Sequence, residues 1–248
     1  MKRLIYLSFI VLLVSCNSKP SLDITPEQID DYIADCLDTS KVYDINLGPQ
    51  YSRDEESYKA DEYSQYDTLK MISSEEYSEK FYTSMTIFFK DGLPVYISEY
   101  ISAYNAEDGD LVERHIYLNG AEIIKASERT GATEYDLDVA PWKEVELTID
   151  NYDFERPRRA VAQEGEFEMK YKEFLIINPE SYLILKNDES KYGVALYILE
   201  GDDLLDELYA KPLIYQGKIL KFDYEFLNMN GIERMIYRGG EVVEKEEA

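Results

Sequence analysis

The chain of 248 residues contains 51 acidic and 26 basic side chains, which gives a net charge of −25 at pH 7. Because such a surface repels phosphate groups, we expect neither nucleic acid nor anionic headgroups among the partners. Hydrophobic residues make up 45% of the chain, which is enough for a folded core. One histidine and two cysteines exclude a multi-histidine metal centre, a disulfide framework and a cysteine-based zinc site, so we predict no metal and no cofactor.

The N-terminal stretch has the parts of a secretory leader. Lys2 and Arg3 precede an apolar run of 11 residues, 4–14, whereas a membrane-spanning helix needs about 20. The leader ends in the four residues Leu13-Val14-Ser15-Cys16. This ending resembles the lipobox of bacterial lipoprotein signal peptides. The resemblance implies that residues 1–15 are removed and that Cys16 receives a diacylglycerol. An ordinary secretory peptide with a chance cysteine is the alternative.

The residues after Cys16 bear on the location. In the lipoproteins that this leader resembles, an aspartate at the next position favours the inner membrane, and here that position is Asn17. The resemblance therefore implies a lipid anchor in the bacterial outer membrane. The first acid is Asp23, so no acidic cluster follows the cysteine directly. This favours a periplasm-facing protein, with exposure on the cell surface left open, and makes residues 16–24 a lipidated tether.

A helix is predicted over 25–37. Thr25 is a good N-cap, Pro26 suits the first helical position, and Gln28 completes the capping-box spacing. The apolar residues recur at helical spacing and form one face: Ile29, Tyr32, Ile33, Cys36 and Leu37. Nothing basic flanks Cys36, so we interpret it as a small buried hydrophobe rather than a redox thiol.

Residues 50–80 are acidic and polar, with five tyrosines that keep no regular period. We predict an acidic excursion, partly helical, that its rings hold against the domain. The expected role is a solvated loop, because charge runs are usually solvated. A binding lip is the functional alternative.

From residue 81 the pattern changes to the period of two that is typical of strands. The sequence predicts four antiparallel strands over 81–89, 93–104, 111–118 and 121–129. Asp91-Gly92 and Asn119-Gly120 favour type I′ hairpin turns between them. One face of this meander should pack against the predicted helix.

Three tyrosines lie on one face of the second predicted strand: Tyr96, Tyr100 and Tyr104. Tyrosine is frequent at protein interfaces, so these rings form a candidate binding surface. The alternative is that they pack beneath the acidic excursion.

The segments after the meander are predicted as a loop over 130–141, a strand-like run over 142–149 and a linker over 150–165. The linker contains the only tight basic cluster of the sequence, Arg156, Arg158 and Arg159. We expect these side chains to pair with the chain's own acids where two domains join. Contact with lipid headgroups or with an acidic partner is the alternative.

The C-terminal part has a recognisable order of elements. Three strands, a helix and two strands are predicted over 167–177, 182–186, 192–199, 202–209, 217–227 and 232–243. This order and size resemble an OB-fold barrel. The predicted fold class is therefore α+β, with a helix packed on an antiparallel meander in 25–149 and a small OB-like β-barrel domain in 166–248.

The sequence singles out no catalytic residue, because it contains no nucleophile elbow, phosphate loop, zinc-binding helix or calcium loop. The acidic run 107–110 is too short for a calcium loop and suits a hairpin turn. His115 shares a strand face with Glu113, whose carboxylate would raise the pKa of the imidazole. A lone histidine is nevertheless more often structural than catalytic.

Together these patterns predict a lipid-anchored envelope protein that acts as a non-enzymatic binding or accessory module, with a protein of the envelope as candidate partner. Two alternatives stay open. One is a carboxylate-dependent hydrolase of envelope glycans, which would need a concave pocket with two facing carboxylates. The other is an acidic inhibitor or immunity protein for a basic partner enzyme, which would present an acidic patch rimmed by tyrosines.

Overall fold

A computed structural model describes residues 21–104, 111–120 and 122–244. Cys16 with its leader, and the acidic run 107–110, lie outside the described residues. The protein is mostly β, with 52% of residues in strands and 20% in helices, rather than an even mixture. The strands are β1 Asp44–Leu47, β2 Tyr51–Arg53, β3 Glu56–Gln65, β4 Thr68–Tyr77, β5 Phe81–Lys90, β6 Leu93–Ala103, β7 Leu111–Asn119, β8 Glu122–Gly131, β9 Lys143–Glu144, β10 Lys170–Ile177, β11 Glu180–Lys186, β12 Gly193–Tyr197, β13 Ile219–Met229 and β14 Ile232–Val243. The helices are α1 Pro26–Cys36, α2 Glu134–Val139, α3 Glu155–Ala162, α4 Asp203–Ala210 and α5 Pro212–Tyr215.

The first helix, α1, begins with a reciprocal cap. The Thr25 N–H donates to Gln28 Oε1 at 3.0 Å, and the Gln28 N–H donates to Thr25 Oγ1 at 3.4 Å. Ile29 and Cys36 are buried on one face of the helix, in a cluster with Phe88 of β5 and other side chains of the sheet. The apolar stripe of the helix therefore lies on the sheet.

Strands β5 to β8 form an antiparallel meander with the predicted hairpin order. At the β5–β6 turn, Asp91 has φ 51° and Gly92 has φ 79°. Both values lie in the left-handed region that a type I′ turn requires at its two central residues. The Asp-Gly signal therefore identified the hairpin correctly.

The expectation of a partly helical excursion over 50–80 is wrong, because this segment folds as β2, β3 and β4. Tyr58 and Ala60 of β3 are buried at the strand period of two. In β4, Met71 belongs to the cluster beneath α1, and Ile72 belongs to the cluster on the opposite face. Where both faces of a sheet are covered, polar and apolar residues no longer alternate cleanly, so the pattern was missed.

The last five strands close into a barrel in the order β10, β11, β12, β14, β13 and back to β10. Every neighbouring pair is antiparallel except β12 and β14, which are parallel where Tyr197 lies beside Ile236. Leu183, Leu185 and Leu196 fill the interior. In the chain, α4 lies between β12 and β13.

The segments between meander and barrel contain more helix and less strand than predicted. The predicted loop 130–141 contains α2, the predicted linker 150–165 contains α3, and only β9 remains of the strand-like run 142–149. Pro157 is compatible with α3 because it lies in the first turn, where backbone N–H groups have no helical partner. Ala160 of α3 is fully buried, so packing prevails over the polar composition of the segment.

Meander and barrel meet in one sheet of 14 strands, in which Gly193 of β12 lies opposite Ser52 of β2. The core at this junction combines Tyr51 of β2 with Phe167 and Tyr192 from the barrel side. The division into two domains at 150–165 stays a prediction.

Candidate functional site

The three tyrosines of the candidate binding surface, two on β6 and Tyr104 just after it, differ in exposure. Tyr96 is only 6% exposed, since it lies in the cluster beneath α1 with its ring 5.1 Å from that of Tyr117. Tyr104, at the far end of the strand, is 50% exposed, and its ring lies 5.9 Å from Tyr77. Tyr100 lies between them, partly buried. The prediction placed all three on one face, but α1 covers only the end of that face where Tyr96 lies.

His115 of β7 is packed between aromatic rings. Its ring lies 4.1 Å from that of Trp142 and 5.6 Å from that of Tyr96. Its Nε2 lies 3.3 Å from Glu113 Oε1. Burial lowers the pKa of His115 by more than the Glu113 charge raises it, and Arg129 also lowers this pKa. The expected upward shift is therefore wrong in sign, and the residue has a structural setting.

We expect the His115 imidazole to titrate below its ordinary pKa of about 6.5. The unfolded chain then binds the proton more readily than the folded chain, so stability is full above about pH 6.5 and falls as pH drops below it. Because the chain has one histidine, a single Hε1 resonance in a proton NMR titration reports this pKa. Glu113→Gln should lower it further. A midpoint at or above that of the urea-unfolded chain would contradict the assignment.

The basic cluster of the predicted linker pairs with the chain's own acids, which confirms that prediction. Arg156 Nη1 lies 2.8 Å from Glu76 Oε2, and its Nε lies 2.8 Å from Glu166 Oε1. The same guanidinium lies 4.2 Å from the centre of the Tyr58 ring and donates to the Tyr192 hydroxyl at 3.1 Å. Arg156 therefore links β3, β4, α3 and the barrel at their junction.

The other two arginines make local pairs. Arg158 Nη1 lies 3.4 Å from Glu155 Oε1, and Arg159 Nη2 lies 2.8 Å from Asp153 Oδ2. Both pairs stay within α3 and the residues just before it. They therefore hold α3 to the residues just before it rather than join meander and barrel.

A pocket of about 200 Å³ lies beside Arg156 and contains two glutamates, Glu76 and Glu99. Glu76 is held by Arg156, and Glu99 Oε2 accepts from Arg114 Nη1 at 3.0 Å. The Tyr152 hydroxyl also donates to Glu99, at 3.3 Å. Both carboxylates are thus engaged in ion pairs, Glu76 at the junction and Glu99 within the meander.

A second concave region is a groove of about 540 Å³ between β1 and β13, which we call the β1–β13 groove. Phe222, Tyr224 and Phe226 of β13 line one side, at the strand period of two. Ile45 and Leu47 of β1 line the other side and are 54% and 43% exposed. The Tyr224 hydroxyl donates to the Leu47 carbonyl across the groove. The lining therefore combines these apolar side chains with polar ones, among them Asn46 and Gln163, and exposed aliphatic side chains lie at the mouth of the groove.

The β13 side of the groove is an open strand edge. Ile219 is the position at which β13 pairs with β10. Farther along, both backbone groups of Phe222 are taken by the Gln163 side chain, which donates to its carbonyl at 2.7 Å and accepts from its N–H at 3.1 Å. Within the described residues, no strand pairs with this edge at Tyr224 or Phe226. Since alternate residues of a strand present their N–H and C=O to the same edge, both positions offer unpaired groups to the groove.

The β1 side is an open edge as well. β1 pairs only with β3 in the described part of the chain, with Leu47 opposite Asp61. The bond from Tyr224 fixes the Leu47 carbonyl on the side away from β3. Ile45, two residues earlier, presents its N–H and C=O to the same side. Two open strand edges thus flank one groove that is partly apolar.

Acidic side chains surround this groove. Asp223 and Glu225 lie on β13 at the rim of the groove. Burial raises the pKa of Tyr224, and the nearby charge of Asp61 on β3 raises it further. Glu225 pairs with Arg238 and Asp61 pairs with Lys59, whereas no basic side chain among the described residues forms an ion pair with Asp223. The rim therefore keeps a local excess of negative charge.

Sequence analysis missed the groove. It predicted β13 as a strand over 217–227 but assigned no strand to β1, whose four residues are too few for a period to be visible. The alternation of Phe222, Tyr224 and Phe226 with charged residues was the available signal. It indicates an apolar face but cannot show that the strand edge is open, because edges depend on pairing.

Other expected features have plain outcomes. Cys36 is a free, buried thiol, as predicted. In the portion of the chain that the structure describes, no helix has the length and apolar character needed to cross a membrane. Over the same residues, no group of three or more His, Cys, Asp or Glu is arranged to hold a metal ion.

Comparison with protein-family models, curated proteins and solved structures finds no match to this chain. The function must therefore be argued from the geometry of the β1–β13 groove and the junction, together with the leader.

Proposed function

We propose that this chain is a lipid-anchored protein of the bacterial cell envelope that acts as a non-enzymatic binding module. The observation that carries the binding role is the β1–β13 groove, in which two open strand edges flank a partly apolar lining. The ion pairs of Glu76 and Glu99 favour binding over hydrolysis, because carboxylates held by arginines serve structure. The ending of the leader at Cys16 supports the anchor.

We further infer that the fold is an N-terminal helix on an antiparallel meander followed by an OB-like barrel. Three strands, a helix and two strands follow one another in the C-terminal part, and the five strands close on themselves. This combination of order and closure supports the OB-like assignment. The proposal concerns architecture alone, since related barrels bind very different ligands.

The tether places the module near the membrane. Near the start of the described residues, the Leu22 N–H donates to Asn119 Oδ1 at 2.7 Å. The residues from Cys16 to Leu22 span roughly 20 Å when fully extended, at about 3.3–3.6 Å per residue. A lipid on Cys16 would therefore hold the β7–β8 end of the sheet close to the bilayer. Asn17 favours the outer membrane, with the module facing the periplasm.

We expect Cys16→Ala to release the protein from membranes, because the covalent lipid is then the main attraction between so acidic a chain and a bilayer. Fractionation of cells by ultracentrifugation measures this, and the intact mass of the native protein should exceed that of its processed polypeptide by the lipid. Cys36→Ala is the matched control and should stay membrane-bound, since Cys36 is buried on the inner face of α1. Unchanged fractionation and unchanged mass on replacing Cys16 would refute the anchor.

The hydrolase of envelope glycans remains the second candidate, favoured by the two glutamates in the junction pocket. Release of soluble sugars from purified cell-wall glycan, lost in Glu99→Gln, would establish it. The inhibitor or immunity role is favoured instead by the acidic rim of the β1–β13 groove. A pull-down from envelope extract, combined with this glycan assay, distinguishes the hydrolase, the inhibitor and the binding module from one another.

A further inference from the structure

We propose that the β1–β13 groove binds an extended segment of a partner protein as an added β-strand, and that this segment alternates apolar and basic residues. The inference rests on the proposed binding function and names the partner chemistry for that same groove. Strand addition to an exposed edge draws its affinity from backbone hydrogen bonds and its specificity from alternate side chains.

The open edge sets the register of the added strand. Gln163 already satisfies Phe222 with an amide that mimics a neighbouring strand. The added strand therefore pairs from Tyr224 onward, and the rest of β13 as far as Met229 has the length of a short strand. The added strand cannot extend to Phe222, because the Gln163 side chain already bonds the backbone N–H and C=O there.

The second edge completes the site. The Leu47 carbonyl is held by the Tyr224 hydroxyl, and this bond closes the groove between the two strands. An occupant replaces it, since one of its backbone N–H groups donates to Leu47 while Tyr224 turns aside. The Ile45 N–H lies on the same edge and donates to the occupant. The bound segment is thus paired on both sides.

The lining and the rim select the side chains. Residues of the segment that point inward meet Phe226 and the exposed side chains of Ile45 and Leu47. Residues that point outward lie beside Asp223 and Glu225, and opposite charges across neighbouring strands stabilise the pairing. The chain's net charge of −25 repels an acidic segment and attracts a basic one. Alternating apolar and basic residues satisfy both faces.

The test uses two labelled octapeptides, (Lys-Val)4 and (Glu-Val)4, and fluorescence anisotropy with the full chain in mild detergent. We expect (Lys-Val)4 to bind at 0.1 M salt and (Glu-Val)4 to bind at least tenfold more weakly. Hydrogen exchange should show new protection at the amides of Ile45, Tyr224 and Phe226 in the complex with (Lys-Val)4.

Matched variants localise the binding. Asp223→Lys removes the unpaired rim charge, and Ile45→Pro removes an edge N–H without breaking the pairing of β1 with β3. Each should weaken (Lys-Val)4 at least tenfold. Glu146→Lys and Val42→Pro make the same changes at exposed positions outside the groove and should stay within twofold of the native chain.

The outcomes separate this proposal from the binding function. If neither peptide binds, or if all four variants bind (Lys-Val)4 alike, the strand-addition site is refuted. Equal binding of both peptides refutes the basic segment. A specific envelope protein recovered in the pull-down would still leave the binding module standing in each of these cases. If the pull-down recovers no specific envelope protein although (Lys-Val)4 still binds in the groove, the proposed envelope function is overturned.

Discussion

Replacing Arg156 with alanine is expected to lower the free energy of unfolding by about 2 kcal/mol, because removing the cation from two partly buried ion pairs leaves their carboxylates uncompensated. The guanidinium lies 2.8 Å from both Glu76 and Glu166 and covers the Tyr58 ring at 4.2 Å. Its loss leaves two partly buried carboxylates without their cation at the junction. Urea unfolding followed by far-UV circular dichroism measures the change.

Arg158→Ala is the matched control, since it removes the same side chain two residues away in α3. Arg158 makes one pair with Glu155 at 3.4 Å, and both side chains are well exposed. An exposed pair of this kind contributes about 0–1 kcal/mol. Equal losses of stability in the two variants would show that helix content, rather than the ion-pair centre, accounts for the effect. Arg156→Lys should recover little, because an ammonium cannot make the forked contacts.

The sequence predicts most strands of the meander and the barrel because their signals are local. Hairpins follow from a turn that needs positive φ, as at Asp91 and Gly92, between runs with a period of two. The C-terminal order was recovered in the same way, and the helix predicted over 202–209 overlaps α4. These features depend on neighbours in sequence, so no knowledge of the tertiary structure is needed.

The errors arise where tertiary packing outweighs local composition. Residues 50–80 fold as strands although they are acidic, because Met71 and Ile72 are buried on opposite faces of the sheet. The segment 150–165 contains a helix because Ala160 packs in the junction core. In both cases the deciding contacts join residues far apart in the chain, and no periodic pattern records them.

The same contrast between local signals and distant contacts applies to the candidate site. The sequence shows that Arg156 has acids to pair with, but not that one partner is Glu76, 80 residues earlier. The hydrogen bond across the β1–β13 groove joins Tyr224 to Leu47 over 177 residues. An open strand edge is a property of the whole sheet, so it becomes visible only when every neighbour is placed.

Phe167→Ala is expected to lower the free energy of unfolding by about 3–5 kcal/mol, the usual loss for truncating a buried phenylalanine. Phe167 is fully buried, and its ring centre lies 4.6 Å from that of Tyr51 and 5.2 Å from those of Tyr58 and Tyr192. Because these rings come from both sides of the junction, the variant should lower the unfolding midpoint of the meander as well as the barrel. Fluorescence of Trp142, the only tryptophan, reports the meander side.

Two further variants show whether a loss of stability stays in one part of the protein or affects meander and barrel together. Phe81→Ala truncates a partly exposed phenylalanine of β5 and should cost less than about 1 kcal/mol. Leu183→Ala leaves a cavity inside the barrel and should cost about 2–5 kcal/mol. If the junction core makes one cooperative unit, the Trp142 transition moves with circular dichroism in Phe167→Ala and in Leu183→Ala. A Trp142 midpoint that stays fixed while the barrel signal is lost would instead support the two-domain division at 150–165, since each half would then unfold with its own core.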